Sequence, residues 1–271
     1  MDQDGTVTVL DKAGKSYWDE NWSNYELPAA VNVHRPGLEG YVERRLHEYF
    51  QTAFAAFETE EMSLLEIGCA RSSWLPYFAK EFGFEVSGID YSEVGCAQAR
   101  QILENEGVGG EIVCADFFSP PEDMQQAFDV IVSFGVVEHF EQTDQCIESL
   151  SKFLKPVGTM ITLIPNLSGL LGKLQKIINA PAYNVHVPLS RKDLFRAHAD
   201  SGLEVQSCDY FMIGGFTVIN LENLRTTPFY KSALRLRSLF SKMAWKFETS
   251  FRGLAPNRQT SPYVICTARK P

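Results

Sequence analysis

The sequence predicts an α/β protein with a mostly parallel sheet, because strand-like and helix-like segments alternate after residue 60. The clearest evidence lies between Met62 and Asp90. Met62–Ile67 is a short apolar run typical of a buried strand, and Trp74–Phe82 carries apolar residues at helical spacing. Glu85–Ile89 predicts a second strand, with Asp90 at its end. The segment therefore predicts one βαβ unit.

The turn after the first strand is built from small residues, which let a backbone approach a bound ligand closely. These residues are Gly68, Cys69, Ala70, Ser72 and Ser73. The helix that follows offers free N–H groups to a negatively charged group. Asp90 stands 22 residues after Gly68, where a carboxylate can accept hydrogen bonds from ribose hydroxyls. The unit therefore predicts a site for an adenosine cofactor.

The glycine pattern indicates which cofactor it is. The dinucleotide pattern G-x-G-x-x-G is absent, which disfavours an NAD(P) oxidoreductase. Leu65–Ser72 instead resembles motif I, E/D-x-G-x-G-x-G, of the class I S-adenosylmethionine (SAM) methyltransferases, with Ala70 and Ser72 replacing two glycines. A positive φ at Ala70 would cost about 1 kcal/mol. The resemblance implies that Glu66, Gly68 and Ala70 contact SAM or its product S-adenosylhomocysteine.

Later segments resemble the same family in the same order, from residue 64 to residue 165. Glu111–Cys114, Phe128–Ser133 and Thr159–Ile164 predict strands three to five. Leu203–Phe211 and Ser261–Ala268 predict the last two. The resemblance implies the Rossmann-like seven-stranded sheet of class I methyltransferases, in which the last strand is antiparallel and lies between strands five and six.

The resemblance also implies further cofactor-binding residues. Asp90 would hold the ribose, Asp116 would accept a hydrogen bond from the adenine amino group, and Phe117 would line the adenine ring. The segment that begins at Phe134 would pass beneath the sulfonium. The other residues expected at the cofactor are Tyr17, Trp18, Tyr91 and Ser92.

Residues 16–25 are unusually aromatic, and exposed aromatic side chains cost solubility. They should therefore cover either a ligand or the core. In the family resembled, such a segment often folds over the SAM pocket. We expect residues 1–34 to form an N-terminal cap and residues 35–271 to form the methyltransferase domain. Insertions at about 166–189 and 212–260 would act as lids, so Tyr25, Asn166 and Tyr183 are expected to contact the acceptor.

The second insertion contains a basic amphipathic segment, Phe229–Phe247, with apolar residues on one stripe and lysines and arginine on another. Such a helix can bind a membrane surface or a partner. We favour a helix that packs on the domain with its charges solvated. Its apolar stripe can then line the substrate chamber.

Two histidines are candidates for a general base, because histidine titrates near neutral pH. His139 follows the fourth strand and His186 lies in the first lid. Glu138 would orient His139 or bind an amine. A purely structural role for either histidine stays open. Glu138 and His139 alone are too few ligands for a metal, so we predict no metal site.

The amino-acid composition disfavours several other functional classes. A formal net charge of −9 argues against a nucleic-acid-coating protein. No secretory signal or membrane-spanning run is visible, and six scattered cysteines indicate reduced thiols, so we expect a cytoplasmic protein. The sequence leaves the oligomeric state open.

The sequence therefore predicts a SAM-dependent methyltransferase that acts on N or O of a small-molecule acceptor, most plausibly a natural product. The alternative is a methyltransferase-like SAM-binding regulatory module without turnover, which the reduced glycine motif supports. The sequence names neither the acceptor nor the atom methylated.

Overall fold

A computed structural model describes residues 9–251 and 253–271, so the first eight residues of the expected cap lie outside the described part. Its centre is a seven-stranded sheet of order β3-β2-β1-β4-β5-β7-β6. The strands are β1 Ser63–Ile67, β2 Glu85–Asp90, β3 Glu111–Cys114, β4 Phe128–Phe134, β5 Leu154–Pro165, β6 Glu204–Phe211 and β7 Tyr263–Arg269. β7 is antiparallel to β5 and β6, and the other pairs are parallel. The predicted fold class is confirmed.

Helices cover both faces of the sheet, because adjacent strand residues point to opposite sides. The helices are α1 Lys15–Ser23, α2 Tyr41–Ala53, α3 Leu75–Phe82, α4 Glu93–Glu106, α5 Thr143–Ser151, α6 Leu170–Ile178, α7 Ala180–Asn184, α8 Arg191–Asp200 and α9 Tyr230–Ser250. Leu64 belongs to the core cluster shared with α2, α3, α4 and α9. Leu65 belongs to the cluster shared with α5 and α8. The α9 and α8 helices therefore lie on opposite faces.

Local sequence signals set the boundaries of two helices. Ser92 caps α4 by accepting a hydrogen bond from the Gly95 N–H at 3.0 Å, and Gly107 ends that helix with a φ of 65°. Ser190 and Asp193 form a capping box at the start of α8. Serine at both N-cap positions satisfies backbone N–H groups of the first helical turn.

β5 begins at Leu154, earlier than the fifth strand predicted at Thr159–Ile164. The α5 helix ends at Ser151, and Leu154 already pairs with Phe128 of β4. Pairing resumes at Thr159, so residues 155–158 form an irregularity within the strand. The fully buried Leu154 side chain explains this earlier start, because it belongs to the core between the sheet and α5.

The apolar stripe predicted on α9 faces solvent, which corrects the expectation that it lines a substrate chamber. Trp245 stacks on Tyr41 of α2 with ring centroids 5.5 Å apart, and Glu248 pairs with Arg45 at 2.6 Å. These contacts direct the side of α9 that carries Trp245 and Glu248 toward the core, so the apolar stripe lies on the outer side. The exposed apolar side chains are Leu236, Leu239, Phe240, Met243 and Phe247. No helix in the two described ranges is long and apolar enough to cross a bilayer.

The loop after β1 needs glycine at its first position. Gly68 has a φ of 77°, and a Cβ there would stand 2.3 Å from Cγ2 of Val136. Ala70 stands at the second glycine position of the motif, and it does not have the positive φ that the sequence analysis considered. The positive φ lies on Arg71, at 56°. A Cβ on Gly95 would lie 2.4 Å from the Cβ of Ala70. Alanine therefore fits this loop because α4 presents a glycine to it.

We expect Gly68→Ala to destabilise the protein more than Gly107→Ala, which changes a glycine of similar φ with no atom within 4 Å of the added Cβ. Both variants carry about 1–2 kcal/mol of backbone strain. The Gly68 variant adds about 1–3 kcal/mol of overpacking. Denaturant unfolding measures both. Val136→Ala should relieve only the overpacking, so strict additivity of the two substitutions would contradict the proposed contact.

Candidate active site

A cleft lies at the carboxyl ends of β1, β2 and β4, where ligands bind in open α/β sheets. Loops after these three strands form its floor, and the N-terminal segment forms one wall. The lining residues are Asp11, Trp18, Trp22, Glu66, Gly68, Ala70, Arg71, Ser72, Ser73, Trp74, Asp90, Tyr91, Phe117, Phe134, Gly135, Val136, His139 and Phe140.

Asp90 joins two of the loops that line the cleft. One carboxylate oxygen accepts a hydrogen bond from the Ala70 N–H at 3.2 Å, and the other accepts from the Ser92 N–H at 2.7 Å. Burial raises the pKa of Asp90 to about 6, although both hydrogen bonds act in the opposite direction. Because a carboxylate can accept about four hydrogen bonds, Asp90 keeps capacity for a ligand.

Glu66 lies deeper in the same loop and is almost fully buried. Ser72 donates its hydroxyl hydrogen to this carboxyl group and accepts hydrogen bonds from the N–H groups of Trp74 and Leu75, both at 3.1 Å. Burial raises the pKa of Glu66 to about 8 and so favours the protonated acid near neutral pH. The serine that replaces a motif glycine thus holds both the acid and the start of α3.

The two candidate histidines lie side by side, with ring centroids 4.5 Å apart. Nδ1 of His139 contacts the carbonyl oxygen of Val185 at 2.7 Å, and Nδ1 of His186 contacts that of Ala182 at 2.7 Å. A carbonyl can only accept, so each Nδ1 carries the proton and the Nε2 of each neutral ring carries a lone pair. Burial lowers the pKa of both, that of His186 to about 4, so both rings are neutral near pH 7.

Glu138 completes a group of three titratable side chains. Neither of its carboxyl oxygens has a hydrogen-bond partner in the described chain, and burial raises its pKa to about 8. One potential ligand atom from each of Glu138, His139 and His186 lies within 4.8 Å of the other two. The cluster suits a shared proton, a donor on a substrate, or a cation. The sequence prediction of no metal site missed this possibility because His186 is distant in sequence.

The N-terminal segment lies against the cleft through several polar contacts. The Lys12 N–H donates to the His139 carbonyl at 3.0 Å, and Ser92 donates its hydroxyl hydrogen to Asp19 at 2.6 Å. Trp18 packs edge-on against His139, with ring centroids 5.1 Å apart, and stacks on Trp22. The indole ring of Trp18 thus lies beside His139, and that of Trp22 lies beside Arg71 in the loop after β1 (residues 68–74, the cofactor loop).

The structure brings most of the predicted site residues together. Those that line the cleft are Trp18, Glu66, Gly68, Ala70, Asp90, Tyr91, Phe117, Phe134 and His139. The lining formed by the described residues does not include Tyr17, Tyr25, Ser92, Asp116, Glu138, Asn166, Tyr183 or His186. Of this second group, Glu138 and His186 lie beside His139, and Ser92 holds Asp90.

The remaining predicted residues have other contacts. The Asn166 side-chain amide is fully buried and donates to the carbonyls of Arg258 and Ser261, which corrects its expected contact with the acceptor. Tyr183 lies under the Lys176 ammonium group. Asp116 is exposed and accepts from the Phe118 N–H.

Two other predicted residues belong to the cap. Tyr17 packs edge-on against Trp18, behind the cleft wall. The Tyr25 ring lies between two guanidinium groups, those of Arg71 at 5.2 Å and Arg225 at 4.8 Å. Tyr25 therefore connects the cap to the second insertion rather than facing the cleft.

Several lining residues were not singled out from the sequence as site residues. Arg71, Trp74 and Val136 are immediate neighbours of the predicted motifs, so a wider window around those motifs would have included them. Asp11 carried no local signal. It reaches the cleft because it forms an isolated antiparallel bridge with Phe140 and accepts a hydrogen bond from the Tyr91 hydroxyl at 2.9 Å.

A seven-stranded sheet with an acid at the end of β2 and a small-residue loop after β1 defines a class I methyltransferase site. The family described as "Methyltransferase domain" matches residues 38–208, and the chain belongs to this family. SAM is the methyl donor that class I methyltransferases use.

Named relatives cover several acceptor classes. EEF1A lysine methyltransferase 2 of Danio rerio is 25% identical over 54% of this chain and 66% of its own length. A ubiquinone biosynthesis O-methyltransferase of Chelativorans sp. (strain BNC1) is 26% identical over 60% of this chain and 62% of its own. The chain thus spans less than two thirds of either relative.

A solved structure shows the same fold over nearly the whole chain. It is the geranyl diphosphate C-methyltransferase of Streptomyces coelicolor A3(2) in complex with Mg²⁺, geranyl diphosphate and S-adenosylhomocysteine. It is 17% identical, covers 95% of this chain and 98% of its own, and has a TM-score of 0.58. At this identity the likeness concerns the fold.

Glu66 should make the stability of the unliganded protein depend on pH. Its folded-state pKa of about 8 exceeds the ordinary value of 4.5, so its contribution is fully present below about pH 4.5 and is lost as pH rises through 8. We expect Glu66→Gln to reduce the loss of unfolding free energy between pH 5.5 and pH 8.5. The exposed Glu85 on the next strand provides the control, Glu85→Gln. Identical pH dependence in both variants would contradict the buried protonated acid.

Proposed function

We propose that this methyltransferase transfers the methyl group to N or O of a small-molecule acceptor, with His139 as the general base. The observation that carries the proposal is His139, a neutral ring that lines the cleft with Nδ1 fixed by the Val185 carbonyl. Its Nε2 lone pair can take a proton from a hydroxyl or an ammonium group.

The lining residues fit SAM. Small residues of the loop after β1, Gly68 and Ala70, line the cleft, and the Asp90 carboxylate can accept from ribose hydroxyls. Phe117 and Phe134 supply apolar surface for an adenine ring and a sulfonium methyl group. When bound, SAM supplies an already activated methyl group.

The residues of this chain then have separate tasks. The loops joined by Asp90 would orient the cofactor, and Trp18 and Trp22 would keep water from the acceptor. His139 would remove the acceptor proton through Nε2. His186 and Glu138 would set the proton affinity of His139 by contact.

The cap supports a small acceptor over a protein side chain. The bridge between Asp11 and Phe140 and the packing of Trp18 on His139 place the N-terminal segment along the wall of the cleft. A lysine within a folded protein would need an open groove at this place. The carboxyl and imidazole acceptors suit hydroxyl or amine groups, which agrees with the O-methyltransferase relative.

We expect Asp90→Ala to weaken binding of S-adenosylhomocysteine by about 1.5–3 kcal/mol, because a hydrogen bond to a charged group is lost. Isothermal titration calorimetry measures the affinity. Glu93→Ala is the matched control, because Glu93 is an exposed acid on the first turn of the adjoining α4 helix. Equal affinity of the Asp90 variant and the wild-type protein would remove Asp90 from the site.

We expect His139→Ala to lower kcat by about 10²-fold or more while the affinity for S-adenosylhomocysteine stays nearly constant, because the base contacts the acceptor. His186→Ala should lower kcat less, since His186 lies behind His139. His34→Ala, at an exposed histidine, is the control. The double variant should lose little more than His139→Ala, as for groups that act as a unit.

Two results would change this assignment. Full activity of the double variant would show that neither histidine takes a proton. Loss of turnover on treatment with EDTA, restored by Mg²⁺ or Mn²⁺, would assign Glu138, His139 and His186 to a cation in place of a general base.

The acceptor is tested by measuring S-adenosylhomocysteine release against a panel of phenols, hydroxy acids and amines. A peptide panel containing lysine is the comparison. Turnover on a small molecule with no peptide turnover supports the proposal, and peptide turnover alone would refute it. Tight SAM binding without turnover on either panel would favour the regulatory module, the alternative that the sequence left open.

A further inference from the structure

The exposed side of α9 has the composition of a membrane-surface helix. At about 100° per residue, its exposed apolar side chains fall in one arc of about 100°. Leu239 and Met243 are 54% and 58% exposed at the centre of this surface. We define the α9 face by the residues Leu236, Leu239, Phe240, Met243 and Phe247.

A basic stripe adjoins the α9 face along one side. Lys231, Lys242, Arg235 and Lys246 fall in the neighbouring arc of about 60°. The helix holds five basic residues and one acid, Glu248, which is buried against Arg45, whereas the whole chain has a net charge of −9. No carboxylate in the described ranges forms an ion pair with Lys231, Arg235 or Lys246. Positive charge is thus concentrated beside an uncovered apolar surface.

The apolar surface continues onto α6. Leu170 at the start of α6 and Phe247 of α9 line one apolar groove, and Leu170 is itself exposed. Ile177, one helix length further along α6, is 82% exposed. Two helices from the two insertions therefore present apolar side chains to solvent.

We propose that the α9 face docks on the surface of an anionic lipid bilayer. An interfacial helix places its apolar side chains among the acyl chains and its lysines and arginines among the headgroups. The segregation of the two kinds of residue on α9 matches that arrangement. Lys242 pairs with Glu39 at 3.2 Å, which leaves Lys231, Arg235 and Lys246 for an external partner. A protein partner would have to match three separate cations at one edge, whereas anionic headgroups neutralise them without a fixed register.

The orientation of the helix also fits a bilayer. Trp245 and Glu248 anchor the inner side of α9 to α2, so the α9 face points outward along the whole helix of about 30 Å. Docking would require no rearrangement of the core. The helix would lie in the plane of the headgroups, since it is too polar to span a membrane.

Vesicle co-sedimentation of the full chain tests the proposal. Vesicles of phosphatidylcholine are compared with vesicles in which about one third is replaced by phosphatidylglycerol. We expect the wild-type protein to bind the anionic vesicles and to be released at high salt. Leu239→Ser with Met243→Ser should weaken partitioning about tenfold or more. Lys231→Gln should weaken it about fivefold, with a further loss on adding Lys246→Gln.

Lys192→Gln with Phe195→Ser is the matched control, because it removes one exposed cation and one exposed apolar side chain from α8, on the opposite face of the sheet. It should bind vesicles as the wild type does. All the substituted residues are exposed, and unchanged thermal unfolding will confirm that every variant folds.

Failure of the wild-type protein to bind either kind of vesicle would overturn the proposal, as would equal loss of binding in the α8 control. A concentration-dependent dimer that only the α9 variants abolish, without vesicle binding, would assign the face to a second copy of the chain. None of these results depends on the acceptor or on turnover.

Discussion

The Asp90 carboxylate is the interaction on which the site depends. Its two oxygens accept hydrogen bonds from Ala70 and Ser92, so the loops after β1 and β2 are held together by one buried acid. Ser92 also caps α4, and Gly95 of that helix makes room for the Ala70 side chain. The alanine that replaces one motif glycine is therefore accommodated by Gly95 of α4.

The unliganded cleft contains more buried acid than it can stabilise in ionised form. Glu66 and Asp90 line the cleft and Glu138 lies beside His139, and all three have raised pKa values because burial removes water from their carboxylates. Such an arrangement is unfavourable by itself and becomes favourable with a ligand that brings positive charge or hydrogen-bond donors. SAM carries both, which gives a physical reason why acids line a cleft of a protein that already has a negative net charge.

The sequence predicted what depends on local pattern. Apolar runs located all seven strands, because strand burial is set by patterns within a few residues. Contacts between distant segments could not be predicted in this way. The approach of His186 to His139 and the bridge from Asp11 to Phe140 depend on where a lid and an N-terminal segment return to the sheet. The spacing of residues in the sequence does not indicate these two long-range contacts.

The same limit explains the errors at α9 and Asn166. Periodicity identified the apolar stripe of α9, but one Trp and one Glu on the other side decided which side faces inward. For Asn166, membership of an inserted segment suggested contact with the acceptor. The Asn166 side-chain amide instead donates hydrogen bonds to the backbone carbonyls of Arg258 and Ser261, which precede β7. These buried carbonyls need hydrogen-bond partners, because an unpaired buried backbone group costs free energy.

The cap, the cofactor loop and the second insertion are in contact at one place. The Tyr25 ring lies between the guanidinium groups of Arg71 and Arg225, and Arg225 donates to the Asn24 carbonyl at 2.6 Å. Arg71 belongs to the cofactor loop, where it has a positive φ, and its guanidinium group lies over the Trp22 ring. Displacing the cap would break both cation–π contacts at Tyr25. The insertion that contains α9 is therefore linked to the cap through Tyr25 and Asn24, so a surface that holds α9 would also restrain the cap.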